Sequence, residues 1–382
     1  MADIGFNDNL EVAGRKFHFQ TASNVDKGSV RCEIFENGTV LATSSVDFER
    51  RKQAKQHTVE NRIKNTVESL HQEMMAEIEL IFLIAEKVKK LKHAPSNCKM
   101  GIMFLQNNLI EDAIDQFRLA IQNDAEYLTA YNHLGLTYIQ IGQYSKAIQI
   151  FNRALEKEKK YADIHNNFGV ALMHENQFKP AMREFQEALK INSNYAEAQY
   201  NLATLYFKST IFDKSDEFLP PPSIRIQRGY EQLQKLKGMD NKLFSIHNTK
   251  FIKMFETKQF EELAKSLEEN RSKIFSRDSL NLIGNSFYLK FMYGGKGLDN
   301  DIIQKYEKRL ELATTSNSEY ADIWNNLGIV HLIQCRNLFL QALDEFKHSL
   351  EINPGFEKAR RNKKLVENDG KEFLILLRAI LK

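Results

Sequence analysis

Proline and glycine are scarce in this 382-residue sequence, which has 6 of the first and 17 of the second. Glycine supplies the positive φ angles of turns and proline breaks helices. A chain poor in both is not a turn-dense or loop-rich fold and reads as helices joined by short connections. Cysteine is scarce too: Cys32, Cys98 and Cys335 stand far apart with no CxxC pair. That spacing excludes a disulfide scaffold and fits a reducing compartment. Charge of one sign is missing, since 53 Lys and Arg face 50 Asp and Glu for a net of +3. No overall field is left to draw in nucleic acid or an anionic membrane. The longest apolar run in the first half, residues 78–85, contains Glu79 and falls far short of the roughly 20 residues of a membrane span. The opening residues show no basic stretch followed by an apolar one, so no secretory signal is expected and the expected compartment is the cytoplasm.

Catalytic and metal motifs are also lacking. No HExxH, Walker A or Gly-x-Ser-x-Gly occurs, and no Cys/His cluster has ligand spacing. The GGKG at 294–297 lacks the full glycine spacing and the Ser or Thr of a phosphate loop, and reads as an ordinary loop. His165 and His174 are nine apart, which is not ligand spacing, and His133 is isolated. No enzyme activity, metal or cofactor is expected.

What is present is a hydrophobic fraction of 42%, enough for a packed core, in a chain long enough for two or more domains of about 100–150 residues. The middle of the chain repeats itself. Met100-Gly101, Phe104, Ala113, Phe117 and Ala120 are matched by Leu134-Gly135, Tyr138, Ala147, Phe151 and Ala154. A third set is Phe168-Gly169, Leu172, Ala181, Phe185 and Ala188, and Leu202-Ala203 with Tyr206 begins a fourth. The small residue advances from 101 to 135 to 169 to 203, a step of 34 each time. Within a unit, Leu134, Gly135 and Tyr138 share one helical stripe, and Ala147, Phe151 and Ala154 share another. Gly135 and Ala147 let two antiparallel helices approach, Phe151 fills the space they leave, and Gly142-Gln143 ends the first helix. One such pair cannot bury both its faces, so neighbours stack.

These positions resemble the tetratricopeptide repeat (TPR). The resemblance implies a mainly α fold, a TPR α-solenoid of antiparallel helix pairs. The repeat's usual proline is replaced by Ala125, Lys159 and Ser193. The pattern breaks after Tyr206, where the expected second helix gives way to a segment with Pro220, Pro221 and Pro222, read as an extended linker or recognition segment. Beyond it, residues 223–236 and 250–270 read as helices; Phe255, Phe260, Leu263 and Leu267 form a blurred unit, and Leu282, Gly284 and Phe287 begin another. A last unit is expected from Trp324, Leu327-Gly328, Ala342, Phe346 and Pro354, with two extra residues in its inter-helix turn, and residues 355–382 read as closing helices.

Because Tyr131, Leu134, Gly135 and Tyr138 occupy the packing stripe, Asn132 and Leu136 face elsewhere. In the TPR family that other face lines a concave groove. Carried over by position, the groove includes Asn132, Leu136, Asn166, Val170, Tyr200 and Thr204. Asn167 and Asn201 fall where some relatives hold an asparagine ladder, either gripping a peptide backbone or stitching neighbouring helices. An amide carries both donor and acceptor, so it can pair with any peptide main chain. The positions of the carboxylate-clamp lysines hold Cys98 and Asp163, which disfavours an acidic tail as ligand.

The first ninety residues differ. Residues 15–21 alternate polar and apolar, and Asn37-Gly38 between residues 29–35 and 39–46 signals a hairpin with a type I′ turn. The expected partner is a helix over about 52–92 with Val59, Ile63, Val67, Leu70 and Met74 on one stripe. The arrangement resembles a small β module found ahead of TPRs in bacterial proteins. The expected organisation is a β module at 1–52, a connecting helix at 53–93, a regular array at 94–212 and a proline-containing linker and helix at 213–245. Degenerate and terminal units follow at 246–354, and caps at 355–382. The expected function is a non-catalytic scaffold binding an extended peptide or partner segment, with no nucleic acid and no integral membrane segment. Two alternatives stay open: a regulatory subunit whose β module binds a ligand, and a membrane-peripheral assembly factor for a motility or secretion machine. The apolar run 373–381 reads as a cap, a partner contact or a site of self-association.

Overall fold

The computed structural model describes residues 3–47, 56–212, 219–237, 242–275, 288–290, 292–293, 303–304, 307–308, 310–311 and 321–381. The motifs expected at 282–287 and the GGKG at 294–297 lie outside these residues. The chain divides into two compact units, Met1–Val88 with Ser279–Lys382, and Lys89–Asp278.

The first unit opens with an antiparallel meander of four strands, β1 Gly5–Val12, β2 Arg15–Asn24, β3 Ser29–Glu36 and β4 Thr39–Asp47, hydrogen-bonded in that order. The Asn37-Gly38 turn takes positive φ at both residues, as the sequence predicts. Ala13-Gly14 makes a second turn of the same kind and adds β1, which the sequence reading missed. Only Leu10 of β1 is buried, so this edge strand carries no alternation to announce it. In β2 every second residue, Phe17, Phe19, Thr21 and Ser23, is buried. That face packs on α1, Gln56–Leu91, whose Ile63, Val67 and Leu70 are buried as expected while Met74 is half-buried. Phe17 meets Phe82 with ring centroids 5.7 Å apart. One polar link crosses the seam. The Asp8 carboxylate can only accept from His71 Nε2 (3.0 Å), and in the neutral imidazole Nδ1 then accepts from the Thr21 hydroxyl (2.8 Å).

The second unit is a stack of helical pairs: α2 Ala94–Gln106 with α3 Ile110–Asn123, α4 Leu128–Gln140 with α5 Tyr144–Lys157, and α6 Ala162–His174 with α7 Phe178–Ile191. Gly101, Gly135 and Gly169 are pressed against Phe117, Phe151 and Phe185, so closely that a methyl at any of them would stand under 3.0 Å from the ring. Each pair turns through one positive-φ residue, Asn108, Gly142 or Asn176.

The helix expected over 223–236 is present, and it corrects the expectation that a linker stands in place of the fourth pair's second helix. Pro221 is the N-cap and Pro222 the first residue of α9, Pro222–Leu236, which packs on α8, Ala196–Phe212. Proline is compatible with a helix's first position because the N–H there lacks an intrahelical partner anyway. The close approach is inverted in this pair, with Gly229 on the second helix against Phe207 on the first. A fifth pair, α10 Lys242–Glu256 and α11 Phe260–Ile274, turns through Lys258 at φ +57°. It shares a core of Phe244, Phe251, Leu263 and Leu267 with Tyr200 and Phe207 of α8.

The last expected repeat is also corrected. Residues 321–352 are one continuous helix, α12 Ala321–Ile352, followed by α13 Glu357–Leu381, which packs on it. No glycine or proline lies between 328 and 354 to stop the helix, and no positive φ occurs within it. Gly328 accordingly has open space beside it rather than a phenylalanine ring.

Candidate protein-interaction face

The first helices of successive pairs pack on one another, α2 on α4, α4 on α6 and α6 on α8, while α3, α5 and α7 pack chiefly on first helices. A layer whose first helices lie closest together curves with those helices inside, which makes their free face the concave one.

A chain of amides runs across this layer. Asn167 Nδ2 donates to Asn132 Oδ1 at 2.7 Å, Asn166 Nδ2 to Asn167 Oδ1 at 3.2 Å, and Asn201 Nδ2 to Asn166 Oδ1 at 2.8 Å. At its far end Arg271 Nε donates to Asn201 Oδ1 at 2.9 Å, and the same guanidinium holds Glu197 at 2.7 Å. A guanidinium has no acceptor, so Arg271 sets the orientation of every amide after it. Asn201 must turn its oxygen to Arg271, and each successive asparagine must then donate onward. The chain ends at Asn132, whose Nδ2 has no partner among the described residues.

Of the residues expected in the groove, Asn132 and Leu136 are half-buried and reachable. Asn166, Asn167, Val170, Tyr200, Asn201 and Thr204 are buried within the chain. The reason at α8 is α11. The Tyr200 hydroxyl donates to the Leu267 carbonyl at 2.7 Å, Phe207 stacks on Phe260 at 6.3 Å, and Lys208 pairs with Glu268 at 2.5 Å. Burial raises the Tyr200 hydroxyl pKa above its ordinary value. The amides of Asn166, Asn167 and Asn201 are engaged with one another, so in this structure they stitch neighbouring helices. Burial, helped by the Lys208 charge, lowers the His174 pKa, and the His174 ring stacks on Tyr144 at 4.6 Å.

Arg271, Glu197, Lys208 and Glu268 went unread in the sequence. Nothing local marks them, because each acts across a separation of 60 to 74 residues. Toward α2 and α4 the face stays more open: Leu136 and Ile139 share a helix face with Asn132, Ile102 and Leu105 are their counterparts one repeat earlier, and all five are half-buried. Elsewhere, the outer face of the sheet has an open depression of about 390 Å³ lined by Asn9, Lys16, His18, Gln20, Phe35 and Asn37 among others. Among the described residues no group of three or more His, Cys, Asp or Glu is placed to hold a metal ion, and no helix is long and apolar enough to cross a membrane.

A family model for the TPR repeat matches residues 135–175 and 171–209. Among solved structures the chain is similar to YrrB, described as a TPR protein with an unusual peptide-binding site, at 18% identity and a TM-score of 0.35, over 53% of this chain and 97% of that one. It is similar to MamA at 18% identity and a TM-score of 0.35, over 43% and 92%. A tetratricopeptide repeat protein from Parabacteroides merdae aligns at 15% identity and a TM-score of 0.35, over 72% and 98%. No curated protein matches the chain. The chain carries tetratricopeptide repeats, a class generally non-catalytic and used for protein–protein interaction through its concave face.

Proposed function

We propose that this protein is a non-catalytic scaffold that holds an extended segment of a partner protein along the open stretch of the face formed by α2 and α4. The observation that carries the reading is the amide of Asn132, whose Nδ2 has no partner among the described residues, at the end of the chain set by Arg271. That amide offers an N–H to a main-chain carbonyl, and Ile102, Leu105, Leu136 and Ile139 offer apolar contact around it. A hydrogen bond at the end of a polarised chain is stronger than an isolated one, and several such modest contacts add to a usable affinity. Asn166, Asn167, Val170, Tyr200, Asn201 and Thr204 support the face from behind in this reading.

The test is selection of a displayed random-peptide library on the full-length protein. Enriched peptides should bind the wild type and lose affinity for Asn132→Asp and for Leu136→Glu. Peptides that bind both variants as well as the wild type would remove the groove from the account.

A further inference from the structure

The layer of first helices already holds one cation from its own chain. On α8, Glu197 and Asn201 lie four residues apart and share a helix face. The Arg271 guanidinium of α11 spans them, with Nη2 2.7 Å from the Glu197 carboxylate and Nε 2.9 Å from Asn201 Oδ1. One repeat earlier, 34 residues back in each case, the counterparts are Asp163 and Asn167. Asp163 stands in the first turn of α6. It is exposed, and its carboxylate has no ion pair or hydrogen bond to any described residue. A carboxylate in a first turn is favoured by the helix dipole whatever lies beside it. The Arg271 contact at Glu197 is the independent observation that a cation fits at this position of the repeat. Asn167 is buried and its oxygen already accepts from Asn166, so Asp163 is the part of the pair left to a partner.

The amide chain fixes how the neighbouring helices align. The 2.7 Å bond from Asn167 to Asn132 puts these two residues level with each other. Asp163 comes four residues before Asn167, and Leu136 four residues after Asn132. First helices of successive pairs run in the same direction, so the two side chains stand about 6 Å to either side of Asn132 along the helix axes. A carboxylate, a main-chain donor and an aliphatic patch therefore follow one another over about 12 Å. That is the length of three to four residues of extended chain.

We infer that the segment held on this face is basic. It presents an arginine or lysine to Asp163 and, three or four residues away, an aliphatic side chain to Leu136 and Ile139. The inference rests on the proposed function and adds the charge of the partner to it. Asp163 does for the partner what Glu197 does for Arg271. An exposed ion pair contributes little by itself, so the basic residue selects and orients the segment while Asn132 and the aliphatic patch hold it. An acidic segment in the same place is repelled.

The test uses the full-length protein and the displayed random-peptide library. Enriched peptides should carry an arginine or lysine three or four positions from an aliphatic residue. Asp163→Asn should weaken them about three- to fivefold, and added salt should bring the wild type toward the affinity of that variant. A peptide whose basic residue is changed to glutamate should bind Asp163→Lys better than it binds the wild type. Asp163 is exposed, so neither variant disturbs the core. Peptides that need Asn132 and Leu136 but carry no basic residue, or that bind Asp163→Asn as tightly as the wild type, overturn this inference and leave the groove standing. Peptides indifferent to Asn132→Asp and Leu136→Glu, or a library that yields no binder, overturn the groove and this inference with it.

Discussion

Arg271 and Asn201 lie 70 residues apart in the sequence, and the guanidinium Nε of the first donates to the side-chain oxygen of the second at 2.9 Å. This contact joins α11 to α8 and orients the amides as far as Asn132. Arg271→Met should lower stability by about 1–3 kcal/mol, because it leaves the Glu197 carboxylate and the Asn201 oxygen without their donor. Arg271→Lys should recover only part of that, since a single ammonium cannot reproduce the two-pronged geometry. Chemical unfolding of the three proteins checks both statements.

Asn132→Asp separates binding from folding. The new carboxylate still accepts from Asn167 Nδ2, so the melting temperature should stay close to that of the wild type. The free N–H is lost, however, and a carboxylate repels a main-chain carbonyl. Affinity for library-selected peptides should fall about tenfold or more, equivalent to roughly 1.4 kcal/mol. Calorimetric titration and thermal melts on the same samples give the two readings.

Gly135→Ala and Gly169→Ala should each cost about 1–3 kcal/mol, because a methyl would press into the Phe151 or Phe185 ring in a packed core. Gly328→Ala has room and should stabilise α12 by about 1 kcal/mol through helix propensity. Chemical unfolding of the three variants against the wild type checks the two opposite signs.

The ring nitrogens of His165 meet the Glu184 carboxylate at 2.7 Å and the Lys159 carbonyl at 2.8 Å. Burial disfavours the cation, but these two acceptors outweigh it and raise the pKa. A group whose pKa is higher in the folded state stabilises fully below its unfolded value, about 6.5, and loses that contribution as pH rises through the folded value. The wild type should therefore lose melting temperature from pH 6 upward relative to Glu184→Gln. Parallel curves for the two proteins between pH 5.5 and pH 8.5 (on the order of two units about the imidazole range) would refute the assignment.

The helical pairs of the middle region were legible because their determinants are local. Gly135 and Phe151 are a helical turnaround apart, and the step of 34 brings the same chemistry back in each unit. The Asn37-Gly38 turn and the alternation of β2 were legible for the same reason, whereas β1 has almost no buried face to leave a pattern. The candidate face was legible by position at Asn132 and Leu136. It was not legible where α11 packs over Tyr200, since a helix 60 residues downstream carries no mark of where it will land.

By itself the sequence determined the register of the repeats, the close approach of each glycine to its phenylalanine, and the presence of amides on the first helices. Those follow from side-chain volume and helical periodicity within a few dozen residues. Only the tertiary structure decided that α11 closes the α8 end of the concave face, that Arg271 gives the amide chain its direction, and that residues 321–352 straighten into one helix. Each of these depends on contacts between segments distant in the chain or on which of two backbone states, turn or helix, wins at Asn337, and local periodicity is the same in either case.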